Sequence, residues 1–278
     1  MKNAEIWRLL DAEYQDPYMN LALEEAIPLS VGKGDSPNTL RFWRNPNAVV
    51  IGKFQSAETE VSLDYCNRHQ TAIVRRFTGG GAVYHDRGNL NCAISVRRDH
   101  LLIKTDFGET FARLSKWMIE GLRLLGALAR YERPNSIQLN GRKIAGGAGA
   151  VKSGFVFYHC SILISSDLKR LSEVLNSCKN SVGKPGVRSV RKEVSTLSVE
   201  LGRELTVAEV KDSLRKSFER SFMVKLVDGE TTEEEEELAE KLHNEKYSTA
   251  AWNLNNRPAY PFSKSRKPEN ILSSNMNF

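Results

Sequence analysis

Residues 75–91 read RRFTGGGAVYHDRGNLN and concentrate groups from which chemistry can be built. Three consecutive glycines, Gly79, Gly80 and Gly81, cost conformational entropy that a plain loop rarely needs. They suit a backbone that turns sharply and lies close to a ligand. Exposed N–H groups in such a turn form an anion-binding nest, and the neighbouring Arg75 and Arg76 can add charge-assisted, bidentate bonds. His85 adds a donor that can switch with pH. Phosphate is the ligand this combination suits, although a glycine-rich hairpin with solvated arginines would read the same way.

A second cluster lies at 140–148, NGRKIAGGA. The Asn140-Gly141 dipeptide asks for a type I′ hairpin turn. Lys143 follows two residues later and leads into a run of small residues, 145–150, which leaves room for a ligand to approach the backbone. A lysine beside a tight turn is otherwise simply solvated. Downstream, 158–176 (YHCSILISSDLKRLSEVLN) reads as a strand leading into a helix. Residues 176–194 have no periodicity, contain Gly183, Pro185 and Gly186, and carry Lys184, Arg188 and Arg191. Such a stretch is a surface crossing or a mobile lid.

Taken together, these segments resemble the lipoate-protein ligase A family, and the resemblance runs from near the amino terminus to Trp252. It implies an α+β fold, mixed β-sheets flanked by helices, of the biotin/lipoyl protein ligase catalytic type. It also implies ATP-dependent conversion of lipoate to lipoyl-AMP and transfer of the lipoyl group to a lysine of a carrier domain. Lys143 takes the position of the family's catalytic lysine, bridging carbonyl and phosphate oxygens. Arg75, Arg76, Phe77, Gly79, Gly80, Gly81, Ala82, Val83, Tyr84, His85, Asn89, Ala145, Gly146, Lys184 and Arg188 fall on positions that bind lipoate or nucleotide, His85 at the phosphate end. ATP and Mg2+ are the implied cofactors, with no metal held by protein ligands alone. The implied partners are lipoyl carrier domains, such as the E2 subunit of 2-oxoacid dehydrogenases or the glycine cleavage H protein. Many members carry a further small domain after the position of Trp252, where only about two dozen residues remain here, too few for a core. The expectation is that the chain either acts with a separately encoded small accessory protein or transfers preformed lipoyl-adenylate far better than it makes it. Where the family continues Arg-Val-Thr-Asn-Leu, this chain has Glu193-Val194-Ser195-Thr196-Leu197.

Two other readings stand beside the ligase. Related octanoyl transferases place a cysteine nucleophile shortly after the helix that follows the lysine hairpin, and Cys178 lies there. Those enzymes have a different glycine motif, and a glycine after the cysteine where this chain has Lys179. A non-catalytic carrier- or nucleic-acid-binding module is suggested only by the net charge of +6. No RNA-binding aromatic signature or zinc finger accompanies that charge, so nucleic acid is not an expected partner. Biotin ligation lacks its Gly-Arg-Gly-Arg loop.

The 278 residues, 40% hydrophobic, suffice for one large domain, expected over 1–257, with 258–278 as an extended or disordered tail. No apolar run approaches the ~20 residues of a membrane span. Asp11, Glu13 and Asp16 near the amino terminus do not fit a targeting peptide, so a cytoplasmic location is expected. Cys66, Cys92, Cys160 and Cys178 form neither a CxxC nor a metal spacing.

Periodicity supplies the elements that must position the motifs. Strands are predicted over 5–10, 72–78, 89–96 and 223–227. Segments 39–45 and 48–54 are predicted to pair with each other across Asn45-Pro46-Asn47, carrying Phe42 and Trp43 as tunnel wall or as ordinary core. A helix over 17–27 is capped by Asp16, with Glu24 and Glu25 facing outward. Further helices are predicted over 62–69, 106–125, 167–175, 206–221 and 232–244. Thr206 and Glu209 form a capping box, and Glu233 to Glu237 make the first turn of the last helix.

Overall fold

The computed structural model describes residues 4–104, 106–176, 189–190 and 192–255. The chain runs β1 (Glu5–Asp11), α1 (Pro17–Lys33), β2 (Thr39–Trp43), β3 (Asn47–Ile51), α2 (Ala57–Glu60), α3 (Leu63–Arg68), β4 (Ala72–Arg75), β5 (Val83–Asp86) and β6 (Asn89–Arg97). It continues through α4 (Phe107–Leu124), β7 (Arg130–Glu132), β8 (Ser136–Leu139), β9 (Arg142–Val151), β10 (Phe155–Leu163) and α5 (Leu168–Val174). It closes with α6 (Leu197–Leu201), α7 (Val207–Phe222), β11 (Val224–Asp228), α8 (Glu233–Leu242), a π-helical turn His243–Tyr247 and α9 (Ala250–Asn253). Among the described residues no helix is long and apolar enough to cross a membrane.

Two sheets result, an eight-stranded one in the order β11-β1-β2-β6-β10-β9-β8-β7 and a three-stranded one in the order β4-β3-β5. The larger is mixed: β1 pairs in parallel with β11 and β2, whereas β6 is antiparallel to β2 and β10. Along β6 the alternation predicted from sequence holds. Leu90, Cys92, Ile94 and Val96 enter a core with Leu114, Trp117 and Met118 of α4 and Leu214 and Phe218 of α7. Gly121 lets those helices approach closely, since a Cβ there would stand 2.8 Å from Leu214 Cδ2. A second core joins α1, through Leu21, Leu23, Ile27 and Val31, to Val50, Val74, Ala239, Tyr247 and Trp252.

The structure corrects several expectations. The segments β2 and β3 do not pair: β2 is bonded on both edges, to β1 and β6, so no edge is left, and the chain passes at Pro46 to the second sheet. Phe42 and Trp43 are both 1% exposed and lie in different cores. Helix α1 continues through Pro28 to Lys33, because Val31 extends its buried side, and ends at Gly34 with φ +88°. Its Glu24 is not outward but 1% exposed. Strand β4 ends at Arg75, short of Thr78, where the glycine loop begins to bend. In α8, Thr232 caps the first turn as predicted, but Glu235 turns inward to a buried pair with Arg8 at 2.5 Å.

His85 sits in an internal polar network rather than at an exposed phosphate position. It is 3% exposed, and its Nδ1 faces the amide nitrogens of Asn45 (3.2 Å) and Asn91 (3.4 Å). Nδ1 is therefore the acceptor, and Nε2–H donates to Ser161 Oγ at 3.0 Å. Ser161 donates to Asn91 Oδ1, and Asn89 Nδ2 donates to Ser161 Oγ at 2.8 Å. Burial, with repulsion from Arg76 and His159, pushes the imidazole pKa down to about 3. The ring is neutral at physiological pH. Because the folded-state pKa lies below the ordinary 6.5, the unfolded chain binds this proton first, and stability present above the ordinary value drains as pH falls toward 3. We expect wild type to lose more stability between pH 7 and about pH 4.5 than His85→Gln does, compared by urea unfolding. Equal losses in the two proteins would contradict a buried neutral histidine.

Candidate active site

The glycine loop is shaped from below by Arg76. Its Nε donates to Thr78 Oγ1 and the Gly79 carbonyl, both at 3.1 Å, and Nη2 donates to the carbonyls of Gly79 (2.6 Å) and Gly81 (2.8 Å). Nη1 anchors the group to the Val50 carbonyl at 3.1 Å. Drawing these carbonyls inward leaves the N–H groups of Gly79, Gly80 and Gly81 without a hydrogen-bond partner among the described residues. That is the arrangement an anion-binding nest requires. Glycine is needed here for definite reasons: Gly80 has φ +93° and a Cβ there would lie 2.9 Å from Arg76 Nη2, while a Cβ at Gly52 would lie 2.1 Å from the Gly80 carbonyl oxygen.

The lysine arrives from the neighbouring hairpin. Asn140 (φ +51°) and Gly141 (φ +80°) form the turn between β8 and β9 with the positive angles a type I′ turn demands. The Lys143 backbone is fixed by Glu193 O (2.9 Å) and Ser195 N (3.0 Å), and its side chain folds back over Gly146. A Cβ at Gly146 would stand 2.8 Å from both Cε and Nζ. Nζ has no hydrogen bond or ion pair among the described residues. Burial, with repulsion from Lys192 and Arg76, holds its pKa below the usual lysine value. Two residues beyond Gly146, Ala148 faces the same side of β9, and its Cβ is 3.7 Å from a Cβ built on Gly80. Two residues of strand span roughly 7 Å. The ammonium and the glycine loop thus share one face.

Strand β10 completes the floor, with Phe157, His159 and Ser161 in register with Ala150, Ala148 and Gly146. His159 Nε2 lies 2.8 Å from Thr78 Oγ1, and its Nδ1 lies 3.1 Å from Glu24 Oε1. The other Glu24 oxygen is buried without a hydrogen-bond partner among the described residues. Beside this polar pair, Phe77, Ala93, Phe155 and Phe157 form a small apolar cluster with Leu29 and Ala150. Above the loop, Ser189 Oγ accepts from Ala82 N–H (2.9 Å) and Gln55 Nε2 (3.0 Å), and Ser189 N–H is held by Glu60 Oε2 at 3.0 Å.

Of the residues singled out in the sequence, Arg76, Phe77, Gly79, Gly80, Gly81, Ala82, Lys143 and Gly146 converge. Arg75 does not, because its guanidinium is fully buried among backbone carbonyls. Asn89 is also fully buried, bonded to Ser161 and the Ile162 carbonyl. The side chains of Val83, Tyr84 and Ala145 enter hydrophobic clusters, so only their backbone could meet a ligand. Lys184, Arg188, Arg191 and Cys178 lie outside the described residues. Sequence reasoning missed Glu24, Gln55, Thr78, His159 and Ser189. Period-two alternation along 155–163 could have placed His159 beside Phe157 and Ser161. Nothing local signals that Glu24 and Ser189 meet them.

The model of the lipoyl protein ligase A/B catalytic domain matches residues 16–219. The chain is 35% identical to lipoate-protein ligase A subunit 1 of Thermoplasma acidophilum, over 85% of this chain and 91% of that protein. It is 33% identical to octanoyltransferase LipM of Moorella thermoacetica, covering 90% and 98% respectively. Among solved structures, lipoate-protein ligase A bound with ATP superimposes with a TM-score of 0.78 at 34% identity, covering 91% of this chain and 99% of that one. The chain is an enzyme of the lipoyl protein ligase A/B catalytic-domain family, whose relatives include both lipoate ligases and octanoyltransferases.

Proposed function

We propose that this chain is an ATP-dependent lipoate-protein ligase. The observation that carries the reading is the unpaired, partly desolvated Lys143 ammonium beside a glycine loop whose N–H groups are free of hydrogen bonds among the described residues. A carboxylic acid does not acylate an amine at neutral pH without activation. In the first step the lipoate carboxylate attacks the α-phosphorus of ATP and pyrophosphate leaves. In the second the acceptor lysine amine attacks the acyl carbon and AMP leaves. Both steps gather negative charge on carbonyl and phosphate oxygens, and preorganised donors in a low-dielectric cleft stabilise it. Lys143 Nζ and the Gly79 to Gly81 amides are those donors. The acyl chain fits along Phe77, Phe157 and Ala150. The fit of nucleotide phosphates rests on the cradle itself, which a side chain at Gly80 would fill. Among the described residues no three His, Cys, Asp or Glu side chains converge as metal ligands, so Mg2+ is assigned to the phosphates.

The similarity to an octanoyltransferase favours a second reading, acyl transfer through a cysteine thioester. The described thiols do not suit it. Burial pushes Cys66 up to about 11 and Cys160 up to about 12, and raises Cys92 well above its ordinary value, so none supplies thiolate at neutral pH. Cys178 is the remaining nucleophile for that reading. The ligase reading also takes a lipoyl carrier domain as acceptor, its acidic surface matched to this basic chain, and a cytoplasmic setting. The relative named as subunit 1 supports a separate accessory protein.

Lys143→Ala is expected to lower lipoyl transfer by about 10²–10³-fold without lowering the thermal midpoint. The sign follows from the depressed pKa: the fold disfavours the lysine charge at neutral pH, so removing it forfeits no stability. Near-normal transfer by this variant would contradict the role. Cys178→Ala should transfer lipoate from lipoyl-AMP at the wild-type rate, and an acyl adduct trapped on Cys178 would instead establish the thioester route. In single-turnover assays this chain alone should transfer from preformed lipoyl-AMP faster than it makes lipoyl-AMP from lipoate and ATP. Equal rates would remove the need for an accessory protein.

A further inference from the structure

Arg75 is fully buried, and among the described residues its guanidinium bonds only backbone carbonyls. Nη1 donates to the carbonyls of Gly52 (3.0 Å), Lys53 (3.2 Å) and Gln55 (2.5 Å), while Nε and Nη2 donate to those of Trp252 (2.8 Å) and Asn253 (3.0 Å). Its own backbone is clasped from the same side: Asn253 Oδ1 accepts from Arg75 N–H at 2.9 Å, and Trp252 Nε1 donates to the Arg75 carbonyl at 2.8 Å. Asn253 in turn fixes its turn by donating to the carbonyls of Tyr247 (2.6 Å) and Thr249 (3.0 Å). The 52–55 segment on the other side of the guanidinium leans directly on the glycine loop. Lys53 N–H donates to the Thr78 carbonyl at 2.8 Å, Gly52 packs against the Gly80 carbonyl, and Gln55 bonds both Gly52 N–H and Ser189 Oγ.

We propose that Trp252 and Asn253 are positioning residues for the glycine loop, acting through Arg75 and the 52–55 segment, so that the turn near the end of the described chain sets the geometry of anion binding nearly 180 residues earlier in sequence. Cation-on-carbonyl bonds are directional and stiff, and a buried guanidinium deprived of them has no water to turn to. Loosening the turn releases the 52–55 segment, and the Gly80 backbone loses its stop. The choice of nucleotide phosphate as the anion rests on the ligase reading. The mechanical link does not.

The test uses the full chain with Trp252→Phe, which keeps an aromatic ring in the core while removing the indole donor and part of the ring volume, together with Asn253→Ala. Amide hydrogen exchange is followed over 77–84 and, as an internal reference, over 89–97, alongside steady-state constants for ATP and lipoate. The expected result for Trp252→Phe is faster exchange confined to 77–84 and an ATP KM raised about tenfold, with lipoate KM unchanged and the thermal midpoint within a few degrees of wild type. Asn253→Ala should show the same pattern, more strongly. Unchanged exchange over 77–84 in the folded Trp252→Phe protein would overturn the proposal, as would acceleration equal to that over 89–97, which marks general loosening. If wild type neither binds ATP nor forms an adenylate, the ligase reading fails while the exchange comparison still decides the positioning claim.

Discussion

The fork of Arg76 on the carbonyls of Gly79 and Gly81 is the constraint from which the site follows. A backbone loop can present either its carbonyl oxygens or its N–H groups to a ligand, and a buried guanidinium on one side decides which. Because the cation lies beneath, the oxygens turn inward and the amides are left for an anion. The same placement explains the neighbouring side chains. Burial lowers the pKa of both His85 and Lys143, and the nearby Arg76 charge adds to the effect, so the imidazole stays neutral and the lysine charge is disfavoured until a negative charge enters.

Positioning these groups takes two sheets rather than one. The face of β9 and β10 brings Lys143, His159 and Phe157 forward on a rigid surface, and the smaller sheet delivers the glycine loop from β4 to β5 above it. Small residues at 146 and 148 are what allow the approach, since a side chain at 146 would occupy the space of the lysine. Helix α1 contributes from behind, where Glu24 meets His159 and links Thr78 to the helix through the imidazole.

Much of this was legible in the sequence, for physical reasons that can be named. The β6 stripe and the α4 stripe follow strict periods, and the Asn140-Gly141 turn has few conformational options. The glycine and lysine motifs stand out in the sequence by composition and spacing, and the structure places them on one face. What was not legible is long-range. Two adjacent arginines look equivalent in a string, yet Arg75 and Arg76 point to different carbonyl sets, one tied to Trp252 and the other to the glycines. The failed pairing of β2 with β3 has the same origin: local turn chemistry favoured a hairpin, but β2 was already bonded on both edges. His85 looked like a switchable donor because nothing nearby in sequence reveals Asn45 and Ser161 beside it.

The claim that the glycine loop and Lys143 form one acyl-activating centre is tested most directly by intact mass measurement of an apo lipoyl carrier domain incubated with this chain. The account predicts that the carrier gains a single lipoyl group from free lipoate only when ATP is present, and that the enzyme carries no covalent acyl group along the way. Acylation of the carrier from an acyl thioester without ATP, with the acyl group passing through an enzyme cysteine, would contradict it.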